Sequence, residues 1–180
     1  MSRVSFREIN RIAIPAIIAG IAEPLISLTD IAVIGNVDKD PVEALAAAGI
    51  VGSFLSAIIW IVAQTKTAIS ALVSQHLGAQ RLNAVKTLVP QAIYFNLLLS
   101  LLIYFVTAYF AKQIFIAYNA EGDVLNYAAN YYQIRALGYP LTLVTFAIFG
   151  VFRGLQNTLW AMKCSLTGAF LNVGLDYLLV

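Results

Sequence analysis

The chain alternates long apolar runs with short polar connections. The first run, Ile12 to Gly35, ends in the polar turn Asn36 to Glu43. The second begins at Ala44 and stays apolar to Gln75, interrupted only by the polar group Gln64 to Thr67. The third spans Leu88 to Ala111, with Pro90 in its first turn, where a missing backbone N–H costs little. After the loop Tyr118 to Asp123, a fourth runs from Leu125 to Phe152 around Pro140, and a fifth starts after Lys163 and is still apolar at Val180. About 20 apolar residues cross the hydrocarbon core of a bilayer, so the pattern predicts an all-α membrane protein of about five transmembrane helices. Their expected limits are 12–35, 44–75, 88–111, 125–152 and 164–180. The second run is too long for a simple span, and a tilted helix or one protruding into the cytoplasm is expected.

Composition narrows the function. Of 180 residues, 61% are hydrophobic and 11% are charged, against about 25% charged in soluble domains. With a mean hydropathy of +0.83, a water-soluble globule would expose large apolar patches. The spans leave no room for an extramembrane catalytic domain, so no enzyme and no cofactor are expected. A net charge of +2 without a basic cluster argues against a nucleic-acid partner. Cys164, the one cysteine, has neither a disulfide partner nor the companions of a zinc site. The basic stretch Arg3, Arg7, Arg11 resembles the start of a signal peptide. The apolar run behind it is too long, carries Pro15, Glu23, Pro24 and Asp30, and lacks a cleavage site, so it reads as a retained helix.

Lys and Arg accumulate on the cytoplasmic side of membrane proteins. With the N-terminus inside, the inner connections hold Arg3, Arg7, Arg11, Arg81, Lys86, Arg153 and Lys163, and the outer ones only Lys39 and Lys112. Tyr127, Tyr131 and Tyr132 fit an aromatic belt at the outer interface. An odd number of spans, with no polar flank after Leu178, reads as a chain cut before its natural end.

Five charges remain inside the apolar runs: Glu23, Asp30, Lys66, Arg135 and Asp176. Intramembrane charges are costly and mark functional sites by default. Glu23, Ser27 and Asp30 share one face of the first helix, and Cys164, Gly168, Asn172 and Asp176 recur every four residues along the fifth. If the two stripes converge, two carboxylates and a carboxamide oxygen share a cavity. Such a group can hold and release a proton, because two close carboxylates cannot both ionise cheaply, or it can coordinate a desolvated sodium ion. Asp30, Asn172 and Asp176 are therefore the candidate ion-coupling site, with Glu23 and Ser27 as candidates for a relay. The alternative is that the carboxylates only join helices.

Geometry sets a condition. Counted from Arg11 and Lys163, Asp30 lies 19 residues along its helix and Asp176 only 13. That is a mismatch of about 9 Å at 1.5 Å per residue. Bending of the first helix at Pro15 and Pro24 is the expected remedy. Lys66 is expected to snorkel to the cytoplasmic surface, Arg135 to anchor at the outer end of the fourth span, and His76 to be solvated in its turn. Ala44, Ala48, Gly52 and Ser56 form a ridge suited to close helix packing.

Four segments in order resemble the multidrug and toxic compound extrusion (MATE) transporters, within them the DinF-like branch. They are IAIPAIIAGIAEPLISLTDIAVIGNV with Pro15, Pro24, Asp30 and Gly35; SALVSQHLGAQ, with Ser74 where Ala is commoner; GVFRGLQNTLWAMK, with Asn157 where Asp is usual; and LNVGLDYLLV with Asn172 and Asp176. The resemblance covers the whole chain. It implies most of one six-helix lobe of a twelve-helix antiporter in a bacterial inner membrane. Such an antiporter exports amphipathic, often cationic, drugs or metabolites against protons or sodium by alternating access. It also implies that Asp30, Asn172 and Asp176 form the amino-lobe ion site, that Pro15 bends the first helix, and that a carboxy-terminal lobe completes the cavity. Two other readings are a flippase for lipid-linked precursors, whose cavity would carry several basic residues, and a non-transporting scaffold.

Overall fold

The computed structural model describes residues 6–34 and 41–179; within these helices the side chains of Glu8, Glu23, Ser27, Asp30, Ile31, Ile34, Pro41, Tyr177 and Leu179 lie outside the described set. The all-α reading holds, with eight helices among the described residues. They are α1 (Phe6–Ile34), α2 (Pro41–Val62), α3 (Gln64–Gly78), α4 (Leu82–Tyr109), α5 (Ala111–Ala117), α6 (Gly122–Ala136), α7 (Tyr139–Gly154) and α8 (Leu159–Leu179). Most of the polar turn expected after the first run, Asn36 to Asp40, lies outside the described residues.

Two pairs of helices each correspond to one apolar run. α2 and α3 together form a stretch of 37 residues, Val42–Gly78, long and apolar enough to cross a membrane. At about 55 Å of helix it exceeds the roughly 30 Å hydrocarbon core. The polar group Gln64 to Thr67 explains the break at Ala63. The Thr65 hydroxyl donates to the Val62 carbonyl at 2.7 Å, the Gln64 carboxamide donates to the Trp60 carbonyl at 3.2 Å, and the Lys66 N–H turns to the nearer Ala63 carbonyl at 3.1 Å. Side chains thus satisfy carbonyls that the helix ladder would otherwise hold. α6 and α7 meet at 45° around Leu137 and Gly138. Pro140, which cannot donate to the ladder, follows directly in the first turn of α7.

By length and composition three helical stretches can cross a membrane, α1, α2 with α3, and α4; the bent α6–α7 pair makes a fourth. α8 is long enough but is not among them, because Lys163, Asn172 and Asp176 lower its mean hydropathy.

Packing follows the periodicity. α4 turns Val85, Ala92, Asn96 and Ser100 inward and leaves Tyr94, Leu98, Leu102 and Phe105 exposed on the opposite side, the arrangement of a helix facing lipid. One core gathers Val51, Leu55, Phe115 and Tyr132, with Phe54 ring to ring against Phe115 at 5.9 Å and Tyr132 at 5.4 Å. Tyr132 therefore departs from the expected belt: it is fully buried, and its hydroxyl lies 3.2 Å from that of Tyr139. Its neighbours in sequence remain accessible, Tyr127 exposed and Tyr131 half-buried.

α3 and α7 approach closely where two glycines lie four apart on α7. A Cβ on Gly150 would stand 2.7 Å from the Lys66 carbonyl oxygen, and one on Gly154 would stand 2.6 Å from the Val73 Cβ. Small residues at this spacing let backbones approach. The ridge predicted for that role on α2 is not used so: a Cβ on Gly52 meets nothing within 4 Å, and α2 buries Ala47, Val51 and Leu55 instead. α1 packs chiefly on α8, and this pair touches the rest of the bundle only lightly.

Candidate functional site

The α1–α8 pair carries the predicted site, and one hydrogen bond fixes its register. The Thr158 hydroxyl, just ahead of α8 and almost fully buried, donates to the Ile12 carbonyl at 3.0 Å. Arg11 borders a small cavity with Asn157, Thr158 and Lys163, and Ala16 to Ile26 border a larger one with Ala161 to Gly168. The two helices therefore run in the same direction. Asp30 lies 18 positions beyond Ile12, and Asp176 lies 18 beyond Thr158. Both backbone positions stand about 27 Å along the pair, at the same height.

This removes the mismatch expected from counting between Arg11 and Lys163. Arg11 is level with Asn157 and Thr158, not with Lys163, which sits one and a half turns higher. No bend is needed to bring the levels together, and α1 is a single helix through Pro15 and Pro24. Pro15 is buried and Pro24 exposed. The side chains of Asp30, Glu23 and Ser27 lie outside the described residues.

On α8 the stripe points toward this seam. Cys164 and Gly168 line the larger cavity, between α1, α7 and α8. One turn on, the Asn172 side-chain oxygen Oδ1 is enclosed and has no hydrogen-bond partner among the described residues. A further turn on, the Oδ2 oxygen of Asp176 is also enclosed. A buried carboxamide oxygen without a donor costs free energy unless something fills its place, and a proton donor or a hard cation would do so. Among the described residues no three His, Cys, Asp or Glu side chains gather as a metal site.

The larger cavity holds about 650 Å³, within the range of small-molecule pockets. Its walls are mostly Ala, Gly, Leu and Phe, with Thr142, Thr145 and Ser165 adding hydroxyls. A Cβ on Gly20 or Gly168 would meet nothing within 4 Å, so these glycines keep the chamber wide. Lys66 lines it too, its Nζ 5.1 Å from the centre of the Phe146 ring. Arg153 borders the same cavity near the end of α7. Arg135 instead lies over Tyr131, its guanidinium 5.6 Å from the ring centre, as suits an anchor.

Sequence reading missed two polar residues. Asn96, fully buried in α4, accepts from the Thr65 hydroxyl at 2.9 Å and donates to the Ala92 carbonyl at 2.9 Å, tying α4 to the break between α2 and α3. Thr158 sets the α1–α8 register. A search for charges passes over both; an isolated carboxamide within Leu88 to Ala111 was the available signal for Asn96.

An all-helical bundle with apolar spans and polar oxygens held between two parallel helices has the build of a membrane transporter lobe. The chain belongs to the MatE family, whose model matches residues 15–178, and it is an integral membrane protein. Its fold matches three solved structures at 22% identity, each covering 94% of this chain. They are a MOP superfamily transporter from Pyrococcus furiosus Vc1 (DSM3638), whose binding pocket is described as reversed in polarity and as suggesting a different function (TM-score 0.85); a MATE protein in complex with MaD3S (0.86); and an outward-facing multidrug resistance MATE transporter of the MOP superfamily (0.85). The chain spans 37% of each, one lobe. Comparison with curated proteins gives no match.

Proposed function

We propose that the chain is the ion-coupling part of a secondary active antiporter that exports amphipathic drugs or metabolites in exchange for protons or sodium by alternating access. The observation that carries this reading is the shared height of Asp30 and Asp176 on paired parallel helices, with the Asn172 oxygen, which has no hydrogen-bond partner among the described residues, one turn below. An ion bound there bridges α1 and α8, so loading and release bias how the two helices close on the neighbouring cavity. Coupling of this kind requires the ion and the substrate to favour different states of the pair. The distribution of basic residues supports an N-terminus in the cytoplasm, and the family resemblance supports a bacterial inner membrane. A second lobe of similar size would close the other side of the cavity.

In the full-length protein, Asp30→Asn is expected to abolish efflux with expression unchanged. Undiminished drug resistance in that variant sinks the coupling role. The flippase reading gains Arg153 as a cavity cation, but among the described residues only Lys66 and Arg153 supply positive charge there. The scaffold reading predicts no gradient-driven movement of any solute.

A further inference from the structure

The charge of the cavity bears on which molecules it accepts. Where the resemblance implies cationic substrates, no acidic side chain lines the chamber among the described residues, and two cations do. Lys66 is placed by packing: the close approach of α3 to α7 at Gly150 sets its backbone against α7, and its ammonium then lies over Phe146, one turn earlier on the same face. Arg153 stands seven residues beyond Phe146, about 10 Å along α7, at the end of the chamber. The rest of the wall is apolar with scattered hydroxyls.

We propose that this cavity binds amphipathic molecules bearing one anionic group, a carboxylate, sulfonate or phosphate, with Lys66 as the residue that sets this preference. The apolar body lies against Leu141, Phe146 and Phe149, and the anion meets the Lys66 ammonium, with Thr142 also in the wall. Arg153, also in the lining, helps to draw the anion in, since a cleft lined by one sign of charge raises the local concentration of the opposite sign. In an apolar wall the ammonium interacts more strongly than in water. The ring beneath it leaves its other donors for the ligand. This assignment names the substrate class for the antiporter reading and rests on that reading for transport, but not for binding.

The test is equilibrium binding of two fluorescent dyes to the purified full-length chain, 8-anilinonaphthalene-1-sulfonate as the anion and ethidium as the cation. The wild type is expected to bind the anion more tightly. Lys66→Met is expected to weaken the anionic dye about tenfold or more, the scale of a lost charge-assisted bond, and to leave ethidium unchanged. Lys66→Arg should keep the anion preference. Equal loss of both dyes in Lys66→Met, or tighter binding of ethidium by the wild type, overturns the proposal. The wild-type comparison stands even if the methionine variant does not fold. Failure of the antiporter reading would look different: anion binding that depends on Lys66, with no transport driven by either ion gradient.

Discussion

Single side chains decide whether the α1–α8 seam is a site or only a packing surface. Thr158 is the sharpest case. Its hydroxyl is the one described side-chain bond from the α7–α8 connection to α1, and it aligns Asp30 with Asp176. Replacing it with Val keeps the shape and removes the donor. Thr158→Val is expected to cost about 1 kcal/mol and to raise hydrogen exchange around Ala16, at the base of α1. Unchanged protection there would mean that apolar packing alone holds the register. The charged members of the stripe were legible in the sequence, because a carboxylate inside an apolar run stands out. Thr158 and Asn96 were not, because uncharged polar residues are common in spans and only their partners, 146 and 31 positions away, give them meaning.

Helices as units were legible as apolar runs but not in their division. Five runs become eight described helices, with breaks at Ala63 and at Leu137 to Gly138 and a separate α5. What spacing could not reveal was which small-residue ridge meets a neighbour. Only the α2 ridge stood out in the sequence, and the structure uses Gly150 and Gly154 on α7 while leaving Gly52 on α2 open. Tyr132 shows the same limit: proximity to a polar loop suggested an interfacial ring, yet its place in the period of α6 turns it into the aromatic core. The α3–α7 contact carries a quantitative prediction. At Gly150 a methyl group would press on the Lys66 backbone, so Gly150→Ala should destabilise by about 1–3 kcal/mol, the range for overpacking. The same change at Gly52, where nothing lies within 4 Å, should not destabilise and should gain up to about 1 kcal/mol from the better helix propensity of Ala. Thermal unfolding in detergent compares the two. Equal midpoints would refute the close contact at Gly150.

Across the molecule, the α1–α8 pair touches the remaining bundle only lightly, an arrangement suited to moving as a unit. Ion occupancy at the level of Asp30 and Asp176 would then be felt at the cavity about two turns below, whose lining includes Gly168 and Lys66. The direct measurement is dye efflux from proteoliposomes holding the full-length chain, driven in turn by an imposed proton gradient and an imposed sodium gradient, with Asp176→Asn in parallel. The account predicts that the wild type responds to one of the two gradients and that the variant, still folded and still binding dye, loses that response. A variant that answers the gradient as the wild type does would contradict it.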